Sequence, residues 1–177
     1  MDSDVMIQPP RTMMEIFQNL PEGTLIQLIE NNLVMSPSSK DKHQEVLGEL
    51  YFHLRTHVRS KKLGKVRIAP YDVYLDRENA YQPDLMFISN ENLYKIEENG
   101  LHGAPDLVIE VLSPSTAKYD NGKKKVVYER CGVNEYWIVD PATKIATGYR
   151  LHGRTFVGIA TALAEIASPL LGATLQF

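Results

Sequence analysis

The sequence predicts an α/β fold, α+β by some schemes, in which a mixed central β-sheet is flanked by helices. Three observations carry that prediction. Two stretches with helical apolar spacing lie before and after a series of strand-like runs. Two of those runs, QPDLMFIS and PDLVIEVL, are almost continuously apolar, as strands covered on both faces are. The chain then closes on alternating runs, EYWIVD, KIATGYRL and RTFVGIA, separated by short turns.

In chain order, Arg11 to Leu20 reads as a short helix stopped by Pro21 and Gly23. TLIQLI and LVMS flank Glu30, Asn31 and Asn32, and asparagine tolerates the positive φ of a tight turn, so an N-terminal hairpin is expected there. From Lys42 to Ser60 the residues Val46, Leu47, Leu50, Leu54 and Val58 fall on one helical face, with Ser38 or Asp41 placed to cap the helix and Gly64 to end it. VRIA and YDVYL are strands ahead of the first PD run. Asn90 to Gly103 is polar and irregular, a surface crossover with a short helix near Glu91 to Glu97. Ser113, Pro114 and Ser115 break the extended structure after the second PD run. A helix from Ala117 to Cys131 follows, with Gly132 as its left-handed C-terminal residue.

The 177 residues, 44% hydrophobic and 23% charged, suit a single domain spanning 1–177, of which 1–10 is expected to be flexible. No apolar run approaches the roughly 18 residues of a membrane helix, and MDSDVMIQPP lacks the apolar core of a signal peptide. A cytoplasmic protein is expected. Cys131 is the only cysteine, which excludes an internal disulfide and a cysteine-based zinc cage. The formal net charge of -3 argues against a generic nucleic-acid coat.

The residues with chemistry to offer interrupt these patterns. Asp106 and Glu110 sit in an apolar strand, and a buried carboxylate costs several kcal/mol (about 3 or more) unless it is paired or bound to a metal. Strand alternation puts both on one face, and Asp84 opens the other PD run, so three carboxylates are expected at one sheet end. In the following helix Asp120, Lys124 and Tyr128 are spaced i, i+4, i+8 and share a face. A short strand-to-helix connection folds that face back on the sheet, so Lys124 is expected to reach the carboxylates. Carboxylates holding a hard divalent cation beside a lysine ammonium are a kit for phosphodiester hydrolysis.

The strings LIQLIENNLVMSPSSKDKHQEVLGEL, YQPDLMFIS, GAPDLVIEVLSPST and DNGKKKVVYERCGVNEYWIVDP span most of residues 25–141. With them the chain resembles the Uma-two family of endonucleases, within the PD-(D/E)XK restriction endonuclease-like superfamily. The resemblance implies a restriction endonuclease-like core and Mg²⁺, with Mn²⁺ as a substitute, held by Asp84, Glu110 and the main-chain carbonyl of Val111. It implies Asp84, Glu110 and Lys124 as catalytic residues; by their positions Asp106, His43 and Tyr128 are read as supporting residues. Where the superfamily pattern has lysine two residues after the acid, this chain has Leu112, and the matching lysine is Lys124.

Each assignment has a structural alternative. Asp84 and Asp106 could cap strand starts; Glu110 could form a structural ion pair with Lys124; Tyr128 could be packing; His43 and Glu45 could face solvent. Ser113, Ser115 and Thr116 read as turn or cap residues, since no histidine and acid arrangement accompanies them. The segment from Tyr51 to Tyr71 carries Arg55, Arg59, Lys61, Lys62, Lys65 and Arg67 with no acidic residue, either a phosphate-binding strip or a solvated helix end. Arg59, Lys61, Lys62 and Lys65 are the expected DNA contacts. EYWIVD and KIATGYRL are expected to pair subunits in a homodimer. The function expected is a metal-dependent DNA endonuclease; the alternatives are an inactive nuclease fold that binds nucleic acid or protein, and a hydrolase of some other phosphate ester.

Overall fold

The computed structural model describes residues 9–36, 38–113 and 117–177; the expectations for residues 1–8 and for Pro114, Ser115 and Thr116 lie outside them. Helix α1 (Met13–Gln18) opens on a capping box, in which the Thr12 hydroxyl accepts from Glu15 N and the Glu15 carboxylate accepts from Thr12 N. The hairpin of β1 (Ile26–Ile29) and β2 (Asn32–Met35) turns on Glu30 and Asn31, both at positive φ. Helix α2 (Asp41–Ser60) follows, then β3 (Gly64–Ile68), β4 (Val73–Asp76), β5 (Asn79–Tyr81) and β6 (Leu85–Ser89). A 3₁₀ turn (Asn90–Lys95) leads to β7 (Ile96–Glu97) and β8 (Gly100–His102). Strand β9 (Leu107–Val111) precedes one continuous helical run: α3 (Ala117–Tyr119), a π-helical turn (Asp120–Lys124) and α4 (Lys125–Cys131). Strands β10 (Glu135–Asp140), β11 (Ile145–His152) and β12 (Thr155–Leu163) extend the sheet, and β13 (Glu165–Ser168) with β14 (Ala173–Gln176) ends the chain.

The main sheet is mixed, in the order β12-β11-β10-β9-β6-β3, and a second mixed sheet runs β2-β1-β5-β4-β8-β7. The central strands β9 and β10 are parallel neighbours, which requires the crossover that the 117–131 helical run supplies. One face of the main sheet packs against the Val46, Leu47, Leu50, Leu54 row of α2 and against Ile166 and Leu175 of the last hairpin. The other face packs Val108, Tyr136 and Ile138 against Val127 and Tyr128 of α4 and Tyr81 of the second sheet. Both faces of β9 are therefore covered, which explains its near-continuous apolar run.

Several expectations change. The α2 N-cap is Lys40, with no side-chain cap; Asp41 lies inside the first turn, where its charge still favours the helix dipole. Gly64 does not end α2 but begins β3, where a Cβ would stand 2.0 Å from the Ile88 carbonyl oxygen. Lys62, at φ 54, makes the turn instead. The 90–103 crossover is not only surface: Leu101 is fully buried and β8 joins the second sheet parallel to β4. The strands expected to pair subunits are enclosed, since β10 lies between β9 and β11, and β12 covers the outer edge of β11. No helix among the described residues is long and apolar enough to cross a membrane.

Candidate active site

Strands β6 and β9 are antiparallel, with Leu85 opposite Ile109 and Phe87 opposite Leu107. One step beyond that register, Asp84 falls beside Glu110, and its peptide N–H donates to Glu110 Oε2 at 3.2 Å. Asp84 Oδ2 in turn accepts from the Val111 N–H at 2.8 Å. Each carboxylate is thus fixed by a peptide N–H of the facing segment, Glu110 by that of Asp84 and Asp84 by that of Val111.

The helical run supplies the rest. The face shared by Asp120, Lys124 and Tyr128 lies over Glu110: Lys124 Nζ donates to Oε1 at 3.0 Å and Tyr128 OH donates to the same oxygen at 2.8 Å. Lys124 Nζ also stands 3.0 Å from Asp120 Oδ1, an ion pair without hydrogen-bond geometry at that oxygen. Glu110 and Lys124 are each 2% exposed and Asp120 1%. From α2, the buried His43 places Nε2 3.2 Å from Asp84 Oδ2. Its Nδ1 has no hydrogen-bond partner among the described residues.

Charge follows from this packing. Burial pushes the Glu110 carboxyl up, against the pull of Lys124, and the charges of Asp120 and Asp84 push the same way. Burial alone would lower Lys124, but Glu110 and Asp120 outweigh it and hold the amine as an ammonium. Lys124 is therefore a donor and a positive charge, not a base. His43 is also lowered by burial, yet the Asp84 hydrogen bond and charge, the Val111 backbone and Glu110 raise it overall. Burial and Glu110 keep the Tyr128 phenol protonated, so it remains a donor to the carboxylate.

Among the described residues, no three His, Cys, Asp or Glu side chains form a ready metal cage. The donor chemistry nonetheless fits a hard cation that keeps much of its own water, because Mg²⁺ is commonly held by one or two carboxylates. Asp84, Glu110 and Asp120 against the single ammonium of Lys124 leave an excess of two negative charges when all are ionised, which a divalent ion offsets. The site opens into a cleft of about 740 Å³ whose walls include Gln27, Ser38, His43, Asp84, Glu110 and Lys124.

Asp106 is not brought to this cleft. The antiparallel register carries it to the far end of β9, where it accepts from Ser89 N at 2.7 Å, Asn92 Nδ2 at 2.8 Å and Asn134 Nδ2 at 3.2 Å. Glu45 is exposed. Tyr128 does more than pack, since its hydroxyl holds Glu110. Two features were missed as site residues. Asp120 carried a signal, its spacing from Lys124. Gln27 carried none: its Oε1 accepts from Gln82 N at 3.1 Å and its Nε2 donates to Ser36 Oγ at 2.7 Å, a cross-strand clasp beside the cleft.

The basic segment forms a groove of about 530 Å³ between α2 and the edge strand β3, lined by Arg55, Arg59, Lys62, Lys65 and Arg67. Lys61 lies outside that lining. None of these cations pairs with a carboxylate among the described residues. Ile68 borders both the groove and the cleft.

A family model described as "Uma2: Putative restriction endonuclease" matches residues 14–176. Among solved structures, a protein from Anabaena variabilis described as a "putative nuclease belonging to DUF820" is similar, with a TM-score of 0.74 at 18% identity, over 92% of each chain. At that identity the likeness speaks for the fold. No curated protein matches.

Proposed function

This chain belongs to the Uma2 family, and from that premise we propose that it is a metal-dependent DNA endonuclease. The observation that carries the proposal is the pair of carboxylates, Asp84 and Glu110, locked side by side at a cleft with the Lys124 ammonium on the far oxygen of Glu110.

Asp84, Glu110 and the Val111 carbonyl would hold Mg²⁺ or Mn²⁺. When bound, the ion polarises the scissile phosphoryl group and lowers the pKa of a water. Tyr128 and Lys124 both donate to Glu110 Oε1, which fixes the carboxylate's rotation and leaves Oε2 on the Asp84 side. Lys124, kept protonated, steadies the attacking water and the negative charge that develops on the phosphate. His43 holds Asp84 from the α2 side.

DNA phosphates would lie along the α2 and β3 groove, which meets the cleft at Ile68. Because each neutralised phosphate releases counterions, the double substitution Lys62→Ala, Lys65→Ala should flatten the dependence of log K on log salt by about 1.8 for duplex DNA. An unchanged slope would place the DNA elsewhere. A homodimer would use the free edge of β12, where Val157 and Leu163 are exposed; a monomer by light scattering at micromolar concentration would remove it. The single, half-buried Cys131 suits a cytoplasmic setting.

Plasmid cleavage in Mg²⁺ or Mn²⁺, against an EDTA control, tests the reading. Cutting by the wild type that falls by about 10³ or more in Glu110→Ala and by about 10² in Lys124→Ala is expected. Equal cutting by all three proteins, or none by a folded wild type, would refute it. A protein that binds DNA through the groove but takes no Mn²⁺ would instead be an inactive nucleic-acid-binding module.

A further inference from the structure

Asp120 is buried beside the site, yet its side chain does not line the cleft. It begins the π-helical turn that Lys124 ends, and such single π turns inside helices are rare and frequent at functional sites. The backbone of this turn is pinned from the sheet by Tyr136, whose hydroxyl donates to the Asp120 carbonyl at 2.9 Å. The Lys124 ammonium therefore lies between two carboxylates, 3.0 Å from Glu110 Oε1 and 3.0 Å from Asp120 Oδ1.

A cation and an ammonium that share one carboxylate repel each other. With Glu110 as its single partner, Lys124 would compete with an incoming metal for that carboxylate and be driven off once the metal bound. A second carboxylate on the opposite side removes the competition. It draws the ammonium toward the helix and gives it a partner that does not depend on Glu110.

We infer that Asp120 is a positioning residue: it holds Lys124 in place when Glu110 turns its charge to a divalent cation, and so sets how tightly that cation binds. The inference rests on the metal-dependent reading of the site. It predicts that Asp120 acts through Lys124, which a purely structural contact would not do.

Titration calorimetry with Mn²⁺ alone tests this on four proteins: wild type, Asp120→Asn, Lys124→Met and the double variant. Asp120→Asn should weaken Mn²⁺ binding about tenfold in the presence of Lys124. In the Lys124→Met background the same change should alter binding by no more than about twofold. A loss of equal size in both backgrounds, no loss in either, or a wild type that takes no Mn²⁺ overturns the inference. Should Asp120→Asn fail to fold, Asp120→Ser, which removes the carboxylate with a smaller polar side chain, takes its place with the same outcomes. Plasmid cleavage is scored separately: a wild type that fails to cut while the calorimetric pattern holds removes the nuclease reading and leaves the role of Asp120 standing.

Discussion

The β6 and β9 ladder has a carboxylate cluster at each end, and the two are built on opposite principles. At one end Asp106 is surrounded by a peptide N–H and two asparagine amides, all neutral donors fixed in place. At the other end Asp84 and Glu110 meet groups that carry or can carry charge: Lys124, His43 and, through the lysine, Asp120. Both clusters are introduced by the same PD dipeptide. A carboxylate completed by amides is a structural fastener, whereas one crowded by ionisable groups at a cleft is arranged to exchange partners.

The sharpest way to break that contrast is to truncate one acid from each end. Asp106→Ala leaves three donors without their acceptor and should cost about 3 kcal/mol of stability in urea unfolding. Glu110→Ala also strips three donors, but it removes a carboxylate that burial penalises and leaves Lys124 with Asp120, so it should cost less. Mn²⁺ should then raise the melting temperature of wild type and Asp106→Ala but not of Glu110→Ala. If Asp106→Ala loses the metal response instead, the two ends are not separate.

A smaller effect sharpens the contrast through pH. The folded-state pKa of His43 is raised above 6.5: burial, the largest single influence, lowers it, but Asp84, the Val111 backbone and Glu110 together favour the imidazolium more. Its contribution to metal-free stability is therefore fully present below about 6.5 and lost as pH rises through the folded value. The stability gap between wild type and His43→Gln, from urea unfolding in EDTA, should be wider at about pH 5.5 than at about pH 8. A His43 gap that widens toward alkaline pH would reverse the assignment.

Much of this was legible in the sequence because it is local. The row of Val46, Leu47, Leu50 and Leu54 marks α2, and the spacing of Asp120, Lys124 and Tyr128 marks the helix face that covers Glu110. What depended on pairing was not legible. Alternation along β9 puts Asp106 and Glu110 on one face, but only the antiparallel register with β6 decides which of them meets Asp84. The last hairpin was overlooked because its turns depend on local backbone geometry, with Ala164 and Gly172 both at positive φ. Gln27 reads as an ordinary strand amide until β1 and the segment before β6 are brought together.

The register that joins Asp84 to Glu110 also guards the fold against its nearest error. Sliding β9 by one residue would turn Glu110 toward the side now occupied by Leu107, Ile109 and Val111, among Leu50, Leu54 and Trp137. Leu50 and Leu54 can donate no hydrogen bond and the Trp137 N–H is already given to Glu135, so the slipped pairing would strand a carboxylate in hydrocarbon. An all-apolar β9 would carry no such penalty and could settle in either alignment. The charge that serves the cleft thus doubles as an alignment mark for the central strand.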